Sequence, residues 1–158
     1  MTRTPDVRPA SAADYPAVVS LLEAAGLPTA GVPRTLDDFL VAETGDGLAG
    51  AIGLERYGSG ALLRSAVVRP GERGTGIGAA LVRAVLDRAR DGGVREIFLL
   101  TTTAERWFPR FGFTPIERAQ VPDAVRASVE FREACPASAA VMRVLIPPRA
   151  PRFTSGVG

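Results

Sequence analysis

Arg73-Gly74-Thr75-Gly76-Ile77-Gly78-Ala79 is the stretch on which the fold turns. Ahead of it lies an apolar run ending Ala66-Val67-Val68-Arg69-Pro70; behind it a helical pattern runs to about Asp91. A strand that feeds a glycine-rich turn opening a helix suits a phosphate. Glycine lets the backbone come close, and the first turn of a helix offers unbonded N–H groups at the positive end of its dipole.

Working outward, the 158 residues suit one α/β domain, 1–146, followed by a loose tail over 147–158. Val7 to Ala10 reads as a first strand, and Ser11-Ala12-Ala13-Asp14 as the cap of a helix that Gly26 and Pro28 end. A short helix is expected over Thr35–Phe39. Leu40–Glu43, Leu48–Tyr57 and Ala61–Arg69 form an antiparallel meander, with a hairpin turn at Thr44-Gly45-Asp46-Gly47. After the loop, Leu81, Val82, Val85, Leu86 and Ala89 mark the buried face of a helix. Val94–Thr101 follows as a strand parallel to Ala61–Arg69 by a right-handed crossover. Then come a helix over Thr103–Phe111, a strand over Phe113–Glu117, weak helical spacing over Val121–Glu133 and a last strand, Ala140–Ile146.

Composition excludes several chemistries. Hydrophobic residues make up 46% and charged ones 23%, with a net charge of +2 from 19 arginines and no lysine or histidine. The arginines are scattered, which argues against a nucleic-acid stripe. No apolar run is long enough to span a membrane, and the N-terminus lacks the core of a signal peptide, so a cytoplasmic protein is expected. Without histidine there is no Ser-His-Asp or Cys-His pair and no usual zinc site; no metal is implied. One cysteine, Cys135, forbids an intrachain disulfide.

Three ligands compete for the loop. A Walker loop requires Gly-Lys, and there is no lysine. Gly74-x-Gly76-x-x-Ala79 matches a dinucleotide fingerprint, but the following strand ends Thr101-Thr102-Thr103 where that fold wants an acidic residue. The third ligand is acetyl-CoA. Arg73-x-x-Gly76-x-Gly78 resembles the R/Q-x-x-G-x-G/A signature of the GNAT N-acetyltransferase superfamily. Trp107-Phe108-Pro109-Arg110-Phe111-Gly112-Phe113 is similar to its later F-Y-x-x-x-G-F segment. The bland alternative is a structural glycine turn with no ligand.

The resemblance, covering residues 5 to about 146, implies the GNAT fold: a mixed, twisted sheet of about seven strands with helices on both faces. It implies acetyl-CoA as co-substrate, held by Arg73, Gly74, Thr75, Gly76, Ile77, Gly78, Ala79 and Phe108. It also implies that the strand Ala61–Arg69 splays from Val94–Thr101, so that the backbone of Ala66, Val67 and Val68 pairs with the pantetheine arm. One of those N–H groups, with Val68 the candidate, would polarise the thioester carbonyl. Two positions depart from the family: the acid tyrosine is Phe108 and the strand glutamate is Leu62. Glu43, Glu55 and Tyr57 are the remaining candidates for acid or base, though each reads first as a solvated strand residue. These departures keep a second function open, a non-catalytic acyl-CoA sensor or interaction module.

For the acceptor, strand alternation places Arg64 on the face of Ala66 and Val68, with Ser65 opposite. An arginine inside an apolar strand must meet an anion. It is either a clamp for a carboxylate-bearing substrate or an ion-pair partner of Glu55. Leu22–Pro28, Leu99–Thr103 and Phe131–Ala139 resemble GNAT proteins of arsenic-resistance operons. That resemblance implies an acidic amino-acid acceptor such as glutamate, phosphinothricin or arsinothricin, near Arg64, Ser65, Thr101, Thr102, Cys135 and Ser138. Thr101, Thr102 and Thr103 read equally as strand-end caps, and Cys135 reads first as a structural residue lining or packing its turn. Small-molecule amines are the expected partners, and a homodimer is compatible with the sequence.

Overall fold

A computed structural model describes residues 6–129, 131–132 and 138–148. One seven-stranded sheet runs in the order β1-β2-β3-β4-β5-β7-β6. Its strands are β1 (Asp6–Pro9), β2 (Phe39–Thr44), β3 (Gly47–Tyr57), β4 (Gly60–Val68), β5 (Glu96–Thr101), β6 (Thr114–Pro115) and β7 (Ala140–Leu145). Only β4 and β5 are parallel, joined over the sheet by helix α2 (Ile77–Asp91). Helices α1 (Tyr15–Ala24) and α3 (Asp123–Arg126) cover the other face. The mixed sheet with helices on both faces is the expected architecture.

Each face has its own apolar packing. Beneath α2, Leu81, Val82, Val85 and Ala89 meet Ile52, Leu54, Leu63, Ile97 and Leu99. On the opposite face Val18 and Leu22 of α1 pack on Phe39, Val41, Ala51 and Val67. Further along that face Val125 and Phe131 cover Leu62, Phe98 and Val141. Arg64 lies between Leu62 and Val67 in β4, so the buried guanidinium sits on the seam between two apolar clusters.

Several expected elements differ. Thr35–Phe39 is a chain of turns leading into β2. Leu36 and Asp38 adopt φ of 54° and 60°, incompatible with a right-handed helix. Asp38 is held there by Arg56, whose Nε and Nη2 donate to its carboxylate at 3.1 and 3.3 Å. The helix expected over Thr103–Phe111 shrinks to a 3-10 turn, Phe108–Phe111. The Thr101 hydroxyl accepts the amides of Thr103 and Ala104 and so turns the chain at the strand end. The strand expected over Phe113–Glu117 is Thr114–Pro115, and the described helical part of Val121–Glu133 is chiefly Asp123–Arg126.

The alternation argument for Arg64 fails for a definite reason. Across β3 and β4, Gly53 pairs with Arg64 and Ala51 with Val67. Ser65 and Ala66 therefore oppose the single residue Ile52, a β-bulge, and Ser65 takes φ of 57°. The bulge reverses the phase of the strand. Arg64 shares its face with Leu62 and Val67, while Ala66 and Val68 turn to the α2 side.

Candidate active site

Strand β4 leaves β5 soon after it joins it. The parallel ladder holds only at Gly60–Glu96, Ala61–Ile97 and Leu62–Phe98. Beyond Leu62 the strands separate, and a cavity of about 850 Å³ opens between them. Its walls are Leu63–Val68 of β4, Leu99–Ala104 at the end of β5, the glycine loop, and Ala25–Pro28 after α1. Trp107, Phe108 and Arg110 close one side.

The direction of the β4 amides follows from the ladder. The Arg69 N–H donates to the Ala49 carbonyl at 2.7 Å. Hydrogen-bonded and non-bonded pairs alternate in an antiparallel ladder. Val68, opposite Gly50, is therefore a non-bonded pair, and its N–H points away from β3 into the crevice. Val67, opposite Ala51, spends its backbone on β3. Of the three residues expected to offer backbone to an arm in the crevice, Val67 contributes side chain only.

The loop is built as a cradle. Gly74 and Gly76 adopt φ of 82° and 89°, and Gly76 caps α2. The Arg73 and Thr75 amides turn back to the carbonyls of Pro70 and Glu72. The leading amides of α2 have no carbonyl ahead of them within the helix. Arg73, Gly74, Gly76, Gly78 and Ala79 line the cavity. Thr75 instead bonds its hydroxyl to the Glu72 carbonyl, and the Ile77 side chain is buried beneath α2. Glu72 also lines the cavity, paired at 2.9 Å with Arg69.

Phe108 is buried and packs edge-on against Trp107 and Phe113 with centroids 5.0 and 5.5 Å apart. It offers the cavity a hydrocarbon wall. None of the three acid–base candidates lines the cavity. Glu43 lies on β2 and accepts from Arg8 Nε at 3.0 Å. Glu55 takes the Tyr57 hydroxyl at 2.5 Å on one oxygen and Arg64 Nη1 at 2.5 Å on the other. Burial, reinforced by the Glu55 carboxylate, pushes the Tyr57 phenol up to about 12. It is thus a poor proton donor at neutral pH.

Arg64 is fully enclosed. Its Nη2 donates to the Ala30 carbonyl at 2.7 Å and its Nε to the Ser65 hydroxyl at 3.1 Å. Its side chain has 0% exposure. The ion pair with Glu55, one of the two alternatives read from the sequence, is formed. Arg64 and Ser65 still lie on the cavity wall. Thr101 and Thr102 line the cavity as well, and Thr101 is at once the strand-end cap. Ser138 is exposed in the turn before β7, away from the cavity, and Cys135 lies outside the described residues. Among the described residues no His, Cys, Asp or Glu cluster could hold a metal ion, and no helix is long and apolar enough to cross a membrane.

Sequence reasoning missed Arg110 and the packing role of Trp107. The signal was the Trp107-x-x-Arg110 spacing, which puts both on one side of a single turn.

Comparisons with known proteins agree with this geometry. The family model for the acetyltransferase (GNAT) domain matches residues 35–115. The amino-acid acetyltransferase of Salmonella typhi is 32% identical over 65 residues, 41% of this chain and 15% of that protein. That of Aeromonas salmonicida is 33% identical over 89 residues, 55% of this chain and 20% of its own length. The chain thus spans at most a fifth of these two curated relatives. A Mycobacterium tuberculosis protein solved with CoA and NLQ superposes with a TM-score of 0.77 at 26% identity, over 90% of this chain and 100% of that one. The N-acetylglutamate synthase of Neisseria gonorrhoeae shares the fold, with a TM-score of 0.78 at 20% identity over 93% of this chain and 36% of that one.

Proposed function

Because the chain belongs to the GNAT acetyltransferase domain family, we propose that it moves acetyl from acetyl-CoA to the amino group of a small carboxylate-bearing amino acid. The observation that carries this reading is the crevice beyond Leu62, continuous with the glycine cradle at the start of α2. One cavity thereby joins a phosphate site to an unpaired strand edge.

The roles follow from the geometry. The amides of Gly74, Gly76 and the first turn of α2 hold the pyrophosphate. The pantetheine arm lies along β4. The Val68 N–H donates to the thioester carbonyl oxygen as it gains negative charge. The neutral amine attacks the thioester carbon, forming the C–N bond. The C–S bond then breaks and the thiolate leaves. The ammonium proton passes to water, and water protonates the thiolate, since no tyrosine or acid candidate reaches the cavity.

An amino-acid acceptor is supported by the named activity of the curated relatives and by the cavity wall at Arg64 and Ser65. Arg64 has five N–H donors, of which Glu55, Ala30 and Ser65 take three. A substrate carboxylate would take the others or displace Glu55. The likeness of residues 22–28 and 99–103 to arsenic-resistance proteins adds arsinothricin and phosphinothricin to the acceptors worth testing.

The test is thiol release from acetyl-CoA across glutamate, glutamine, neutral amino acids, phosphinothricin and arsinothricin. Turnover with an acidic or glutamate-like acceptor is expected. CoA binding by calorimetry with no turnover on any amine would leave the sensor reading instead. Arg64→Lys keeps the charge and loses the fork. It should raise the acceptor KM about tenfold with the acetyl-CoA KM nearly unchanged.

A further inference from the structure

The donor site proposed above accounts for one anionic group, the pyrophosphate at the loop. Coenzyme A carries a second, the 3′-phosphate on its ribose, at the end farthest from the thioester. With the thioester at Val68 and the pyrophosphate at Gly74–Ala79, the adenosine end must continue past the loop. What stands there is the turn Phe108–Phe111 and the residue before it. The Trp107 ring packs against Gly78: a Cβ built on that glycine would meet Trp107 carbons at 3.4 and 3.5 Å.

Arg110 belongs to this same unit. Its Nε donates to the Trp107 carbonyl at 2.9 Å, and its guanidinium carbon lies 5.5 Å from the centre of the Trp107 ring. Two contacts thus fix the plane of the guanidinium and leave both terminal nitrogens uncommitted. No carboxylate of the described residues pairs with it, although seven other arginines are in ion pairs. The side chain is exposed and borders the cavity. A preorganised, unneutralised guanidinium suits a phosphate dianion, to which it can donate two parallel hydrogen bonds.

We propose that Arg110 binds the 3′-phosphate of the acyl donor and so makes the site select coenzyme A over its dephospho form. This rests on the acetyl-CoA reading of the cavity and adds to it the residue that reads the nucleotide end. Arg73 differs in kind: it is part of the glycine loop itself, whereas Arg110 stands on the separate turn Phe108–Phe111.

Calorimetry of the full chain with CoA and with 3′-dephospho-CoA tests this. The native protein should bind CoA about tenfold more tightly, the gain of one bidentate charge-assisted contact. Arg110→Gln should abolish that ratio, weakening CoA about tenfold and leaving dephospho-CoA within twofold. Arg110→Lys should restore part of the ratio. Equal weakening of both ligands by Arg110→Gln would place Arg110 on the pyrophosphate or in the fold and overturn the assignment. An unchanged ratio would overturn it as well. If the native protein binds neither ligand, the acetyl-CoA reading falls and this one with it. Tight binding of both with no preference sinks only the role of Arg110.

Discussion

Two single residues show how charge is handled away from solvent. Asp14 accepts both terminal nitrogens of Arg8 at 2.9 and 3.0 Å, and the Ser11 amide at 2.9 Å. The Arg8 guanidinium is the main reason its carboxyl falls from 3.8 to about 2. A depressed carboxyl stabilises the fold fully above about pH 4, and that contribution is lost as pH falls through about 2. Arg8 is a third exposed, so solvent screens the pair. Asp14→Asn should cost about 1 kcal/mol at pH 7 and almost nothing near pH 2, measured by urea unfolding at both. Arg64 is a different case, a buried cation with one carboxylate partner. Arg64→Ala strands the Ala30 carbonyl and Glu55, and should cost about 3–5 kcal/mol. Adding Glu55→Ala should recover part of the loss, because the uncompensated charge goes too. Additive losses would mean that the two side chains do not couple.

At the scale of elements, what could be read from the chain was local and what could not was tertiary. The hairpin at Thr44–Gly47, the periodic face of α2 and the glycine cradle each depend on residues adjacent in sequence. Their patterns were sufficient. The bulge at Ser65–Ala66 leaves no such mark, because it appears only in the register against β3. That one inserted residue turned Arg64 to the wrong predicted face. Asp38 likewise owes its backbone conformation to Arg56, eighteen positions on. The bulge also separates the paired half of β4 from the half that lines the crevice, and there the element makes a prediction. Proline at 68 removes the N–H proposed to face the thioester, and the ladder to β3 loses no bond. Val68→Pro should lower kcat by about 10²–10³-fold while CoA affinity, by calorimetry, stays within a few-fold. A comparable loss of CoA binding would mean that the strand itself had been displaced.

For the molecule as a whole, the inventory of titratable groups constrains catalysis. The chain has no histidine and no lysine, two tyrosines and one cysteine. Tyr57 is raised to about 12 and stands off the cavity. Among the described residues the one carboxylate on the cavity wall, Glu72, is paired with Arg69. The described residues bordering the crevice thus include no histidine, lysine, tyrosine or cysteine. The acceptor amine titrates, and only its neutral form attacks. The neutral fraction grows tenfold per pH unit below the amine's pKa, so log kcat/KM for the acceptor should rise with slope one. It should level off near the pKa of the free amine, about 9 to 10 for an α-amino acid, with no descending limb below that. Exchanging the acceptor for an amine of lower pKa should move the whole profile to lower pH by the same interval. Cys135→Ser should leave the profile unmoved. An inflection that stays in place when the acceptor is changed would reveal an acid or base supplied by the protein, and direct attack with water as the proton carrier would have to be abandoned.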